Sequence, residues 1–301
     1  MYLPDLTWQC LYSITNTGKY CVVKYAMRIF LILLGLMFTD IVSAAASLAV
    51  YNITQERWLH SENLNQTRPL ASLTKLMTVM VSMDQDQDLT REIKLSKASP
   101  RLSPGLYTRR TLITAVLVRS DNAAAEALAD AHPGGRKQFI RAMNLRAQSL
   151  QMMNTRFVDA SGLSNQNVST ALDVITMIRT ADLYPIISEI SIKKQADLEA
   201  GQGRRLRTIQ ITNTNRPVLI EFDGITVSKT GYTGSAGWCM AVLVVRHSDR
   251  IAVVILGADT QRQRAQSIHD IMLNHIADTD PEPPKRPSPG DVIRSWLGIM
   301  P

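Results

Sequence analysis

WCMAVLVVRHSDRIAVVILG, residues 238–257, holds two almost unbroken apolar runs, Trp238 to Arg246 and Ile251 to Gly257, parted by the polar turn His247-Ser248-Asp249. Runs of that length with β-branched residues at both alternating positions read as central strands buried on both faces. Working outward, Ile225 to Lys229 reads as a preceding strand and Arg262 to Ile276 as a closing helix. At the other end, Ser47 to Ile53 and Trp58 to Asn63 flank a short polar turn and read as a hairpin. The long middle is helical. Its helices are expected over Leu70 to Met83, Thr111 to Val118, Ala123 to His132 (ended by Pro133-Gly134-Gly135), Phe139 to Leu150, and from the N-cap Ser169-Thr170 through Leu183. Strands at both ends with helices between give an α+β fold, an antiparallel sheet from both chain ends flanked by helices with an inserted helical subdomain.

Composition narrows the function. The 301 residues carry 33 Lys+Arg against 26 Asp+Glu, with 45% hydrophobic and 20% charged residues and three cysteines. These values exclude disordered, collagen-like and disulfide-scaffold classes. The net charge of +7 invites a nucleic-acid reading, but the basic residues are scattered apart from pairs such as Arg109-Arg110 and Arg204-Arg205, so no nucleic-acid partner is expected.

The N-terminus reads as an export signal. Ile29 to Phe38 is a ten-residue apolar run following Lys19, Lys24 and Arg28, and small residues at Ser43 and Ala44 suit cleavage. Ten residues are too few to span hydrocarbon. The expected division is a signal peptide over 1–44, with Met27 as an alternative start, a catalytic domain over 45–278, and a Pro-rich tail over 279–301. Removal takes three basic and two acidic residues and leaves +6, and it takes Cys10 and Cys21, so Cys239 stays alone and no internal disulfide is possible. A free cysteine in a strand reads as a small buried hydrophobe. In the tail, Val292, Ile293, Trp296, Leu297 and Met300 recur at helical spacing, and a weak membrane-surface contact through 291–300 is one reading of them.

Within LASLTKLMTVMVSM, residues 70–83, the sole charged side chain is Lys75. Burial disfavours an ammonium, so its pKa should fall, and a neutral lysine near pH 7 is a competent general base. Ser72 precedes it by three residues, on the same helical face and at the helix N-terminus, where free N–H groups favour an oxyanion. Ser-x-x-Lys alone is weak, since a chain of this length holds roughly one by chance. A decoy occurs at Ser191-Ile192-Lys193-Lys194, which has charged neighbours and reads as a solvated loop. A second element, Ser120-Asp121-Asn122, has helix capping as its plainer explanation. The third, Lys229-Thr230-Gly231, stands at a strand end and has a strand-to-turn exit as its plainer explanation. It occurs once here, where chance would supply about a tenth of one.

The order Ser-x-x-Lys, Ser-x-Asn, Lys-Thr-Gly on an exported chain is what raises the weight. From the hairpin near Ser47 to the helix near Ile276 the chain resembles the low-molecular-mass penicillin-binding proteins, the serine D-alanyl-D-alanine peptidases. His132-Pro133-Gly134-Gly135, Asn154 to Val158, Ser161-Gly162-Leu163-Ser164 and Asn167 to Ala171 are similar to the D-alanyl-D-alanine endopeptidase branch.

The resemblance implies a serine β-lactamase/DD-peptidase-like fold and a periplasmic enzyme that cleaves peptidoglycan stem peptides or cross-links through an acyl-enzyme. It implies catalytic roles for Ser72, Lys75 and Ser120, with Asn122, Lys229, Thr230 and Gly231 binding substrate. The oxyanion would be held by the backbone N–H groups of Ser72 and Tyr232. Arg264 falls at the place of an arginine that lies near the substrate's terminal carboxylate in the carboxypeptidases. Peptidoglycan peptides and β-lactam inhibitors are the implied partners, and no cofactor or metal is implied.

Two other classes share features with this reading. A β-lactamase carries the same three motifs, but fast turnover of the class A kind uses a glutamate to activate water. Between Asn122 and Ile187 the only glutamate is Glu126, and no Glu-x-x-Leu-Asn occurs. A catalytically silent peptidoglycan-binding module would have no use for a lone lysine in an apolar helix. A Ser-His-Asp hydrolase lacks its Gly-x-Ser-x-Gly, and the five histidines have no zinc spacing.

Overall fold

The computed structural model describes residues 46–200 and 207–276. The expected leader with Cys10 and Cys21, and the tail with its 291–300 segment, lie outside the described residues. Strands β1 (Ser47–Asn52) and β2 (Arg57–Glu62) form the N-terminal hairpin. Short strands follow in the middle of the chain. There β3 (Arg68–Pro69) pairs with β6 (Val168–Ser169), β4 (Glu92–Leu95) with β5 (Gly105–Thr108), and β7 (Gln195–Ala200) with β8 (Arg207–Thr212). Strands β9 (Ile225–Thr233), β10 (Gly237–Arg246) and β11 (Asp249–Ala258) complete a five-stranded antiparallel sheet in the order β2-β1-β11-β10-β9. The two chain ends meet where β1 pairs with β11, Val50 opposite Val253.

The opening apolar runs are the sheet's centre, as their composition predicts. Ala241, Leu243, Ala252, Val254 and Leu256 join the core shared with the helices. Val242, Val244, Val253 and Ile255 face the other way and pack with Ile268 and Ile271 of the helix Gln261–Ile271. Both faces are covered, which is why both alternating positions are apolar. The helix Thr74–Gln85 is buried from Thr74 to Met83, so tertiary burial offsets its β-branched and polar residues. Four other helices follow the expected pattern with shifted ends: Arg109–Val118, Asn122–Asp130, Gly135–Ser149 and Ala171–Ala181.

Several expectations change. The helix expected from Leu70 begins at Thr74, because Ala71 has φ +47° and the stretch Ala71–Leu73 is a tight 3-10 turn. Lys229-Thr230-Gly231 does not end a strand. Strand β9 runs on to Thr233, since Gly231 and Tyr232 pair with Cys239 and Trp238. The decoy is only partly a solvated loop: Ser191 is fully buried and its Oγ accepts from the Ser228 N–H at 3.2 Å, while Lys193 pairs at the surface with Glu189. The β4–β5 and β7–β8 pairs were not anticipated, because their strands are short and largely polar.

One residue ties the turn that carries Ser72 to the rest. Asn167 is fully buried, and its backbone carbonyl accepts from the Leu70 N–H at 2.8 Å. Its Oδ1 accepts from the Val158 N–H at 2.7 Å, and its Nδ2 donates to Asp159 Oδ1 at 2.9 Å. Asn167→Ala strips these side-chain partners and leaves buried groups unsatisfied, a loss of about 3 kcal/mol. Thermal unfolding should read this as a fall in Tm of roughly 6–12 °C, and an unchanged Tm would remove Asn167 from this role.

Candidate active site

The site forms where the 3-10 turn, the helix Thr74–Gln85, the start of Asn122–Asp130, the loop 159–164 and β9 converge. Lys75 is fully buried, and its Nζ lies 2.8 Å from Ser72 Oγ, 2.7 Å from Asn122 Oδ1 and 2.5 Å from the Ser161 carbonyl. The last two partners can only accept. They take two N–H protons of a neutral amine, and its lone pair is left for the Ser72 hydroxyl to donate into. Burial pushes the Lys75 pKa down from 10.5 to about 7, partly opposed by the negative charges of Asp159, Asp121 and Glu126. A serine hydroxyl held against an amine that is half neutral near pH 7 has the geometry and proton affinity a nucleophile–base pair requires.

A second lysine stands beside the first. Lys229 is 1% exposed, and its Nζ donates to Ser120 Oγ at 2.9 Å and to the Thr230 carbonyl at 2.8 Å. Burial holds its pKa well below the ordinary lysine value, and the charges of Lys75 and Arg264 lower it further. Ser120 is delivered to this lysine by a left-handed backbone, φ +63°, unusual for serine and costing on the order of 1–3 kcal/mol. Asp121 does cap the next helix, accepting from the Ala124 N–H at 2.9 Å, so capping and site-building share one tripeptide.

Two glycines bracket Ser72. A Cβ on Gly231 would lie 2.9 Å from the Ser72 nitrogen, so β9 can press against the Ser72 N–H only without a side chain there. A Cβ on Gly162, φ +81°, would lie 1.9 Å from the Ala71 carbonyl oxygen. The backbone at Gly231 therefore flanks the Ser72 N–H.

The structure thus gathers Ser72, Lys75, Ser120, Asn122, Lys229 and Gly231. The hydroxyl of Thr230 turns to Thr214 Oγ1 at 2.7 Å. Arg264 lies close enough for its charge to act on Lys229, though it makes no hydrogen bond to the gathered residues: it is 6% exposed, its guanidinium carbon lies 5.2 Å from the Trp238 ring centroid, and its Nη1 donates to the Cys239 carbonyl at 3.4 Å. Cys239 is a buried thiol whose pKa burial pushes up to about 11.

The Ser161 carbonyl and the carboxylate of Asp159 were not anticipated as parts of the site. Asp159 accepts from the backbone N–H groups of Ser161, Gly162 and Ser164 at 2.6–2.9 Å, which shapes the loop and aims the Ser161 carbonyl at Lys75. The available signal was an aspartate before Ser-Gly, the signature of a side-chain-braced turn. Among the described residues no cluster of three metal-ligating side chains occurs.

Comparison with known proteins places this geometry. A family model described as D-alanyl-D-alanine carboxypeptidase matches residues 39–260. The D-alanyl-D-alanine endopeptidase of Escherichia coli is 34% identical over 224 residues, covering 71% of this chain and 72% of the relative. The D-alanyl-D-alanine endopeptidase of Pseudomonas aeruginosa is 31% identical with the same coverage. Among solved structures, a mutant of the Streptomyces K15 DD-transpeptidase superposes with TM-score 0.71 at 25% identity, covering 76% of this chain and 96% of that one. Penicillin-binding protein D2 of Listeria monocytogenes, in its cefotaxime-bound form, gives TM-score 0.66 at 26% identity, covering 75% and 95%.

Two measurements check the geometry. Gly231→Ala pushes β9 off the Ser72 N–H and should lower kcat/KM by about 10²-fold; a change below threefold would contradict the close approach. Acylation of Ser72 by an activated ester should rise as pH passes about 7, because only the deprotonated Lys75 accepts a proton. Glu126→Gln removes a negative charge that raises this pKa, so the rising limb should move to lower pH; movement to higher pH would rule out Lys75 as the titrating base.

Proposed function

Because the chain belongs to the D-alanyl-D-alanine carboxypeptidase family, we propose that Ser72 is the nucleophile of a penicillin-sensitive acyl-transfer site and Lys75 its general base. The protein is a serine-type D-alanyl-D-alanine peptidase, a hydrolase of peptidoglycan peptides with an α+β penicillin-binding fold. Ser72 Oγ attacks the carbonyl carbon on the acyl side of a D-alanyl peptide bond as Lys75 takes its proton. The carbonyl oxygen becomes negative between the backbone N–H groups of Ser72 and Tyr232. Collapse expels the amine, which receives a proton through Ser120, and leaves the acyl chain on Ser72. Water then attacks the ester as the proton path runs backwards, freeing the acid and the serine. Asn122 hydrogen-bonds the substrate amide, Thr230 and Gly231 line its path, and Lys229 supplies positive potential and orients Ser120.

The observation that carries this reading is the three-partner setting of Lys75, whose two carbonyl acceptors leave its lone pair for Ser72. Rapid lactam hydrolysis is disfavoured because Glu126 pairs with Arg136 at 3.2 Å and makes no hydrogen bond to Ser72 or Lys75, acting on Lys75 only through its charge. We propose the cross-link as the preferred substrate. It is supported by the relatives named as endopeptidases and by the position of Arg264 beneath Trp238, where it offers little surface to a terminal carboxylate. Export to the periplasm, and the division into a leader over 1–44, a catalytic domain over 45–278 and a tail over 279–301, complete the proposal. They rest on the apolar run 29–38 and the Pro-rich stretch 281–289. Among the described residues, no helix is long and apolar enough to cross a membrane.

Penicillin should form a long-lived adduct on Ser72, found by peptide mass mapping and absent from Ser72→Ala. An adduct on another residue would sink the assignment. Lys75→Ala should keep the fold while slowing acylation by about 10²–10⁴-fold. Cross-linked muropeptide dimers should be cut faster than pentapeptide monomers are trimmed, and the reverse order would make the enzyme a carboxypeptidase.

A further inference from the structure

Strand β9 carries Lys229, Thr230 and Gly231 at the edge of the sheet: β10 pairs with one side of it, and among the described residues no strand pairs with the other. An edge strand is loosely held unless something covers its open side. Here the cover comes from two short segments, at Ser191 and at 213–215. Ser191 Oγ accepts from the Ser228 N–H at 3.2 Å, Asn215 Nδ2 donates to Ser228 Oγ at 2.9 Å, and Thr214 Oγ1 accepts from the Thr230 hydroxyl at 2.7 Å. The residues before and after Lys229 are therefore both fixed, while Lys229 itself points to the opposite face, as alternate residues of a strand do.

The turn 213–215 also reaches the other half of the site. The Thr214 N–H donates to the Val118 carbonyl at 3.0 Å, and Val118 ends the helix Arg109–Val118 two residues before Ser120. Ser120 is left-handed at φ +63°, a conformation that persists only where neighbouring contacts over-determine it. One turn thus touches both segments whose side chains meet in the 2.9 Å hydrogen bond from Lys229 to Ser120.

Asn213 holds this turn together. It is 5% exposed, its Nδ2 donates to the carbonyls of Ser191 and Lys193, both at 2.9 Å, and its Oδ1 accepts from the Asn215 N–H at 2.8 Å. Both amide protons and the amide oxygen are engaged, in a buried setting where each lost partner leaves another polar group unsatisfied. Asn213 joins the Ser191 segment to Thr214-Asn215, yet none of its side-chain hydrogen bonds reaches Ser72, Lys75, Ser120 or Lys229.

We propose that Asn213 is a positioning residue for the Lys229–Ser120 pair: by clamping the Ser191 segment to the Thr214-Asn215 turn, it holds β9 and the segment that carries Ser120 at the spacing their hydrogen bond needs. The proposal rests on the reading of Ser120 as the group that passes a proton to the leaving amine. That task has a signature which general loosening of the fold lacks. On a peptide, the C–N bond breaks as the departing nitrogen takes a proton through Ser120. On a thioester of the same acyl group, the C–S bond breaks and a thiolate leaves without one, while the proton from Ser72 stays on Lys75.

The test uses the full chain and compares kcat/KM on a D-alanyl-D-alanine peptide and on the matching thioester. Asn213→Ala should lower kcat/KM about tenfold or more on the peptide and less than about threefold on the thioester. On the peptide, Ser120→Ala combined with Asn213→Ala should be no slower than Ser120→Ala alone. Ser191→Ala, a smaller change that removes only the tie to the Ser228 N–H, should show the same peptide-selective loss in milder form. Where Asn213→Ala does not fold, Ser191→Ala alone decides. Equal losses on the two substrates, or additive losses in the double variant, would overturn the proposal. If Ser120→Ala itself slows both substrates equally, the reading of Ser120 fails and the inference falls with it. A peptide-selective loss in Ser120→Ala with wild-type rates in Asn213→Ala and Ser191→Ala defeats the inference alone.

Discussion

The structure depends on one buried amine. Lys75 is a lysine placed where water cannot solvate its charge, and its three partners come from three separate segments: the turn at Ser72, the helix start at Asn122 and the loop at Ser161. Taking an ammonium out of water is expensive, and the protein reduces the cost by letting the group lose its proton near pH 7. The same change that makes burial tolerable makes the group a base. Asp159, Asp121 and Glu126 keep the pKa from falling further, so the amine stays poised instead of becoming permanently neutral.

Packing around that amine explains features that look unrelated in the chain. Asn167 fastens the Leu70 backbone through its own backbone carbonyl and Val158 and Asp159 through its side chain, so the turn that carries Ser72 and the loop that supplies the Ser161 carbonyl are set by the same residue. Gly162 and Gly231 permit backbone approaches to that turn from two sides. Strained φ values at Ala71 and Ser120 lie on the two segments that present Ser72 and Ser120. Strain of this kind persists where surrounding contacts over-determine the backbone, and here those contacts converge on the two lysines.

Legibility differed by scale. The long apolar runs of β10 and β11 and the helical middle could be read because their periodicity follows from burial on defined faces. The short polar β4–β5 and β7–β8 pairs carry no such pattern. Of the site, Ser72 and Lys75 were readable because three residues of helical spacing bring two side chains together locally. Ser120, Asn122 and Lys229 were legible through their order and resemblance, while the Ser161 carbonyl was hidden because a backbone acceptor leaves no residue-type signal. The start of the helix at Thr74 was missed because a left-handed Ala71 is imposed by close packing, against the residue's own preference.

By itself the sequence determined the types of the long apolar elements, the Ser72–Lys75 spacing and the oddity of a lone lysine in an apolar helix, all of which depend on neighbours within one or two turns of chain. Tertiary structure decided what those features could do. Ser161 meets Lys75 across 86 residues and Ser120 meets Lys229 across 109, and the base strength of Lys75 depends on how completely those distant segments exclude water. Arg264 makes the same point: resemblance to the carboxypeptidases placed it near the site, and only the tertiary packing brought its guanidinium against the Trp238 ring. Local geometry follows from covalent connectivity, but desolvation is a property of everything packed around a group.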